Sequence, residues 1–267
     1  MTETIVAEVT DYPVTWEKLP SDFELPDDPV ENLEHPTLAG DLRELLLAAD
    51  LVTDSVVIAS NFGICARVAG KTVVKAPDWV YIPFVKPLPA DTIRKSYTPY
   101  AEGDLPSAVM EFLSDKDNGE YSVKPTHPYG KWWFYEQILK VPRYVIFDPP
   151  SGRVEVYQLK SGRYSPQIPD ANERYWIPSI DLFLGVWQGS KDGRTGYWLR
   201  WWDSDGNMLL WRSEKLALDR QQLEQQRKQL EQQGKQLEQQ GKQLTRLLEL
   251  LRRAGISDEE LEEPEER

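Results

Sequence analysis

Two carboxylates in the middle of the chain stand in surroundings that metal-dependent chemistry requires. Glu111 interrupts an apolar run, residues 108–113, of the kind that forms a buried strand. Asp78 follows Pro77 at the head of a second apolar run. A buried carboxylate is unstable unless a cation or a hydrogen-bond donor compensates for its lost hydration. Glu111 is therefore expected either on the wet face of an edge strand or beside a cation inside the fold.

Carboxylates on neighbouring buried strands favour a hard divalent cation between them. Without a cation, their mutual repulsion would keep one of the two protonated. Mg²⁺ accepts one or two carboxylates, a backbone carbonyl and waters as ligands. Lys131, in the first turn of a predicted helix, could orient a water molecule that attacks a phosphodiester. Asp78, Glu111 and Lys131 together predict a magnesium-dependent hydrolytic site.

The order of these motifs resembles that of the PD-(D/E)XK nuclease superfamily. Asp78 completes a "PD" and Glu111 opens "EFLS", and the continuation contains "VPRYVIFDP", "VEVYQL" and "GRY". More closely, the chain from about residue 35 to residue 210 is similar to the Uma-two-type restriction endonucleases, a group abundant in cyanobacteria. A glutamine-rich coiled tail such as the one in this chain is a common appendage in that group.

The resemblance implies an α/β fold, a restriction-endonuclease-like mixed central sheet flanked by helices. It also implies a DNA endonuclease that hydrolyses phosphodiester bonds with Mg²⁺ or Mn²⁺. Asp78, Glu111 and the backbone carbonyl of Phe112 are the metal ligands that it implies.

The chain departs from the superfamily pattern at the catalytic lysine. The pattern places this lysine at residue 113, where the chain has Leu113. In Uma-two-type proteins a lysine on the following helix takes over, and Lys131 matches it. An acidic residue near the first helix often joins such sites, and Glu34 is the first candidate here and Glu31 the second.

Each of these residues also has an ordinary structural explanation. Asp78 could start a strand, Glu111 could face solvent, and Lys131 could be a surface lysine. His35 fits a helix start and His127 a loop better than a ligand position. A rival prediction is therefore a catalytically inactive protein of the same fold that acts as a binding or scaffold module through its coiled tail. The absence of a lysine at the superfamily position and the acidic ends of the chain favour this rival.

The elements that must position the candidate residues can be predicted from periodicity and turn residues. Leucines at helical spacing predict an amphipathic helix in residues 35–51. Residues 129–141 are predicted to be helical up to Pro142. Apolar and aromatic runs separated by Gly, Pro, Asn and Asp predict strands within residues 54–68, 70–84, 108–114, 143–159 and 162–210. This order of helices and strands predicts a mixed α/β domain.

A heptad repeat follows the predicted domain. Leucine recurs every seven residues from Leu216 to Leu251, while the other core position of each heptad holds Gln, Arg or Gly. The pattern is typical of a coiled coil and predicts a helix of about 35 residues, roughly 50–60 Å long. Self-association, contact with a partner protein and a solvated single helix all remain open. A dimer is expected because a duplex has two strands to cut.

The acidic residues are concentrated at the two ends. The net charge is −13 in total, with −9 in residues 1–34 and −6 in residues 257–267, which leaves +2 for the rest. We therefore predict an acidic irregular segment (1–33), a nuclease-like domain (34–213), the heptad helix (214–255) and an acidic tail (256–267). Whole-chain charge neither supports nor excludes a nucleic-acid partner.

Cysteine content and hydropathy bound the cellular setting. The single cysteine, Cys65, excludes an internal disulfide framework and a cysteine-rich zinc site. No apolar stretch approaches the length of a membrane span, and the first residues lack the pattern of a signal peptide. These features predict a cytoplasmic protein without a membrane partner.

Overall fold

The computed structural model describes residues 34–68, 71–91, 93–114 and 119–254. The predicted acidic segment 1–33, with Glu31, and the predicted acidic tail 256–267 lie outside the described residues. Three α-helices occur within the described ranges: α1 (Glu34–Ala48), α2 (Lys131–Trp133) and α3 (Arg212–Arg253). The strands are β1 (Val57–Ala59), β2 (Ile64–Val68), β3 (Lys71–Lys75), β4 (Trp79–Ile82), β5 (Ala108–Phe112), β6 (Arg143–Asp148), β7 (Arg153–Lys160), β8 (Arg163–Pro166), β9 (Tyr175–Ile177), β10 (Leu182–Lys191) and β11 (Arg194–Trp202).

A six-stranded mixed sheet forms the centre of the domain. Its strand order is β1-β4-β5-β6-β7-β8. Strands β5 and β6 run parallel, and the other neighbouring pairs in this sheet are antiparallel. Strands β2 and β3 form a separate hairpin, and β9, β10 and β11 form a three-stranded antiparallel sheet. The predicted α/β class, with a mixed central sheet and a long C-terminal helix, is confirmed.

Strands β4 and β5 are neighbours inside the sheet and are buried at every position. Alternate residues of a strand face opposite sides of a sheet, so these two strands contribute to two cores. On one side, Met110 and Phe112 pack with leucines of α1 and with Trp198 and Trp201 of the three-stranded sheet. On the other side, Val109 packs with aromatic residues of the segment after α2 and of β6. Glu111 shares the face of Val109.

The helical segment predicted before Pro142 has two different geometries. The single α-helical turn of α2 continues directly into a π-helical turn, Phe134–Ile138. Such turns are rare and occur frequently at functional sites. The Phe134 and Tyr135 side chains are fully buried against the face of the sheet that carries Glu111.

The long helix α3 is attached to the domain by its first turn. Arg200 on β11 is fully buried, with its guanidinium 3.5 Å from the centre of the Trp211 ring and hydrogen-bonded to Glu214 at 2.8 Å. Beyond this joint α3 has no buried residue along its 42 residues, which span about 63 Å at 1.5 Å per residue. Among the described residues, no helix is long and apolar enough to cross a membrane.

Candidate active site

Asp78 lies directly before β4 and close to Glu111 of β5. The antiparallel register pairs Trp79 with Met110, so Asp78, one residue earlier, stands opposite Glu111. The sheet therefore brings the two predicted carboxylates together at the start of β4.

The backbone at Phe112 completes this corner of the site. Its N–H donates a hydrogen bond to Asp78 Oδ2 at 2.6 Å. In a strand, the N–H and the C=O of one residue point to the same neighbouring strand. The Phe112 carbonyl is therefore directed to the side of β5 on which Asp78 lies.

The carboxyl group of Glu111 is fully buried and accepts hydrogen bonds from two side chains. The Tyr135 hydroxyl donates to Oε1 at 2.8 Å, and Lys131 Nζ lies 3.2 Å from Oε2. Burial, with a smaller contribution from the charge of Asp78, raises the pKa of Glu111 from 4.5 to about 8, against the lowering effects of Lys131 and of the Tyr135 hydrogen bond. Near neutral pH the Glu111 carboxyl group can therefore release its proton when a metal cation binds to it.

Lys131 projects into the site from the first turn of α2. Its Nζ contacts Glu111 and also Glu120 Oε1, at 3.0 Å. Burial lowers the pKa of Lys131, but the carboxylates of Glu111 and Glu120 outweigh this effect and the net shift is upward. The side chain therefore stays an ammonium group between the buried carboxyl groups of Glu111 and Glu120.

The first helix begins beside Asp78 with Glu34 and His35. Glu34 pairs with Arg194 of β11, with 2.9 Å between Oε2 and the guanidinium. Its neighbour His35 is buried, with Nδ1 3.7 Å from Asp78 Oδ1 and its ring edge against Phe112. His35 thus lies beside Asp78, whereas Glu34 forms an ion pair with a residue of strand β11.

Three further residues at the site were not predicted from the sequence. Tyr135 lies four residues after Lys131, a spacing that signals a shared helix face, but a tyrosine there is equally expected in a core. Lys75 ends β3, and its pKa is lowered by burial and then by the charge of Lys131. Glu120 lies in a short 3-10 turn with no periodic pattern around it, so no sequence signal identifies it.

The donor set can be compared with the needs of different metals. The described residues contain no group of three or more His, Cys, Asp and Glu side chains arranged to hold a metal ion. Zinc prefers such closed sets, whereas Mg²⁺ binds through one or two carboxylates and keeps several waters. A carboxylate has about four lone-pair sites, so Glu111 retains acceptor capacity beside Tyr135 and Lys131. Asp78, Glu111 and the Phe112 carbonyl fit Mg²⁺ or Mn²⁺.

The chain matches a known protein family over most of its length. The model of the family described as "Uma2: Putative restriction endonuclease" matches residues 16–189, well over half of the chain. The matched range contains Asp78, Glu111 and Lys131. No curated protein matches the chain.

Proposed function

Because the chain belongs to the Uma2 family of restriction endonucleases, we propose that it is a DNA endonuclease that requires Mg²⁺ or Mn²⁺. Asp78, Glu111 and the Phe112 carbonyl would hold the ion. A bound ion would stabilise the charge that develops on the attacked phosphate. The contact between Lys131 and Glu111 carries the proposal, because it supports Lys131 as the substitute for the lysine that the superfamily pattern has at position 113.

The electrostatics of Lys131 favour one of its two conceivable roles. A lysine with a raised pKa is a poor general base, because it does not give up its proton near neutral pH. As an ammonium group it can donate a hydrogen bond to the attacking water and stabilise negative charge on the phosphate. Glu120 accepts a hydrogen bond from the same Nζ, so it would hold the side chain in place when Glu111 binds the ion.

Glu34 enters the proposal as an assisting residue at the edge of the site. Support comes from its position next to His35, whose ring contacts Asp78. Glu34→Gln and His35→Gln would separate the two: a larger loss of cleavage for His35→Gln would transfer the role to the histidine. An equal loss for both would favour a structural effect of the start of α1.

Cleavage of labelled DNA duplexes tests the proposed function. We expect cleavage with Mg²⁺ or Mn²⁺, and a loss of about 10²–10³-fold in Asp78→Asn and Lys131→Ala, the size found when a transition-state donor is removed. Lys160→Ala is a matched control, because Lys160 is exposed at the end of β7. Full activity of Asp78→Asn would contradict the proposal.

The exposed leucine row of α3 favours a second candidate, a catalytically inactive scaffold of the same fold. Such a protein would use α3 to bind a partner and would have no need of a metal site. Calorimetric titration of the wild-type chain and of Asp78→Asn with Mn²⁺ separates the two candidates. Binding that Asp78→Asn abolishes favours the nuclease, and equally weak binding by both proteins favours the scaffold.

A further inference from the structure

The segment that carries Lys131 is free of acidic residues in an acidic chain. Residues 121–135 (YSVKPTHPYGKWWFY) contain two lysines, a histidine and six aromatic residues but no Asp or Glu, although the net charge of the chain is −13. The carboxylates that flank this segment in sequence, Glu120 and Glu136, are both buried. The exposed side of the segment therefore presents Lys124 and partly exposed aromatic rings, with no carboxylate of its own.

The backbone of this segment is tightly held. The Gly130 N–H donates to the Lys124 carbonyl at 3.0 Å and closes the loop between them. Gly130 also packs against Ser122 so closely that an added Cβ would lie 2.0 Å from the Ser122 oxygen. Trp132 packs on the inner side among tyrosines of β6, β7 and β8. The loop therefore has a fixed position relative to Lys131.

The outer side of the loop carries an aromatic stack. The Tyr129 and Trp133 rings are nearly parallel, at 14°, with centroids 4.8 Å apart, and both side chains are half-buried. The exposed His127 meets the Tyr129 ring edge-on, and Lys124 is exposed in the same loop. Trp133 and Lys131 both belong to the short helix α2, so one element carries a ring of the stack and the lysine of the candidate active site.

Given the proposed DNA substrate, on which this inference rests, we propose that residues 123–133 form a platform for an unpaired base of the DNA. Aromatic rings beside cations are the groups with which proteins bind single-stranded nucleic acid, because every base can stack on a ring while the cations follow the backbone. A base would stack on the Tyr129–Trp133 pair, and Lys124 would contact an adjacent phosphate. The substrate class is DNA that is single-stranded or opened next to the cleaved bond.

Fluorescence anisotropy with Ca²⁺ in place of Mg²⁺ tests the platform. The probes are a duplex with a single-stranded flank and the fully paired duplex of the same sequence. We expect tighter binding of the flanked duplex, and a loss of about 5- to 150-fold for that probe in Trp133→Ala. Trp176→Ala is the matched control, because Trp176 is also half-buried against an aromatic ring, Phe183, on the three-stranded sheet.

A second variant guards against misfolding of Trp133→Ala. Lys124→Ala changes an exposed side chain, and we expect it to reduce the slope of log affinity against log salt by about one for both probes. Normal binding of both probes by Trp133→Ala and Lys124→Ala would overturn the platform while leaving cleavage by the wild-type chain intact. A wild-type chain that neither binds nor cleaves any DNA would overturn the proposed function and the platform together.

Discussion

At the scale of single residues, Glu111 is a carboxyl group where its strand would otherwise hold an apolar side chain. Its neighbours on β5 are buried and apolar, and its own side chain is fully buried. The Tyr135 hydroxyl and the Lys131 ammonium compensate for part of the lost hydration, yet the pKa remains raised to about 8. A buried carboxyl group such as Glu111 destabilises the fold, so it is expected at a position that function requires.

The stability of the chain should therefore depend on pH through Glu111. Between 4.5 and about 8 the folded state holds a proton that the unfolded state has released, so the wild-type chain loses stability as the pH rises through this window. Glu111→Gln has no such proton. We expect its free energy of unfolding to improve relative to wild type between pH 5 and pH 8, in urea titrations at each pH. A constant difference across this range would show that Glu111 is ionised throughout.

Metal binding should release the proton that Glu111 holds in the folded state. A divalent ion needs the ionised carboxylate, so below pH 8 its binding must displace a proton from Glu111. We expect Mn²⁺ affinity to rise from pH 6 to about 8, with proton release measured by calorimetry in buffers of different ionisation enthalpy. Tyr135→Phe removes a hydrogen bond that lowers the pKa of Glu111, and it should move this profile to higher pH. Identical profiles for the two proteins would place the ion elsewhere.

At the scale of elements, the sequence predicts those parts of the site that lie on regular structure. Glu111 stands in the apolar strand β5 and Asp78 directly before the apolar strand β4, and the two strands prove to be neighbours in the sheet. Lys131 stands at the start of a helix that the sequence predicts, so its place in the secondary structure could be inferred. Glu120 and His35 reach the site through contacts that join distant segments, and periodicity carries no information about such contacts. The π-helical geometry likewise has no pattern of its own in the sequence.

The long helix poses a separate question of stability. Its Glu–Lys pairs at i and i+4, such as Glu231 with Lys235, contribute only about 0.3–0.5 kcal/mol each. Gly234 and Gly241 each cost about 1 kcal/mol relative to alanine. Local interactions therefore contribute little net stability in this part of α3, and the exposed leucines offer a surface for association.

We expect α3 to mediate self-association of the chain. Deletion of residues 216–267 keeps Glu214, the partner of the buried Arg200, and should lower the mass measured by light scattering while the domain stays folded. Leu230→Gln with Leu237→Gln in the full-length chain should have the same effect, because both leucines are about two-thirds exposed and belong to the heptad row. An unchanged mass in both variants would show that α3 is a solvated helix.

At the scale of the whole molecule, a near-neutral domain is joined to two acidic ends. Residues 35–256 carry +2, and the acidic ends bring the total to −13. The described part holds a segment without Asp or Glu, residues 121–135, which carries the exposed Lys124 and includes Lys131 of the candidate active site. Negative charge elsewhere on a protein weakens its attraction to DNA at low ionic strength without contacting the DNA. The acidic ends should therefore restrain DNA binding in a manner that depends on salt.

Neutralising the C-terminal carboxylates tests this restraint. Changing the seven Asp and Glu residues between positions 258 and 266 to Asn and Gln keeps the length and removes most of the negative charge of that end. We expect DNA affinity by fluorescence anisotropy to rise at low salt. The gain should fade above about 0.15 M salt, where charges more than about 8 Å apart are screened. A scrambled tail of the same composition should bind as the wild type does, because net charge and not order produces the effect. A gain that persists at 1 M salt would instead indicate that the tail competes with DNA through specific contacts on the domain.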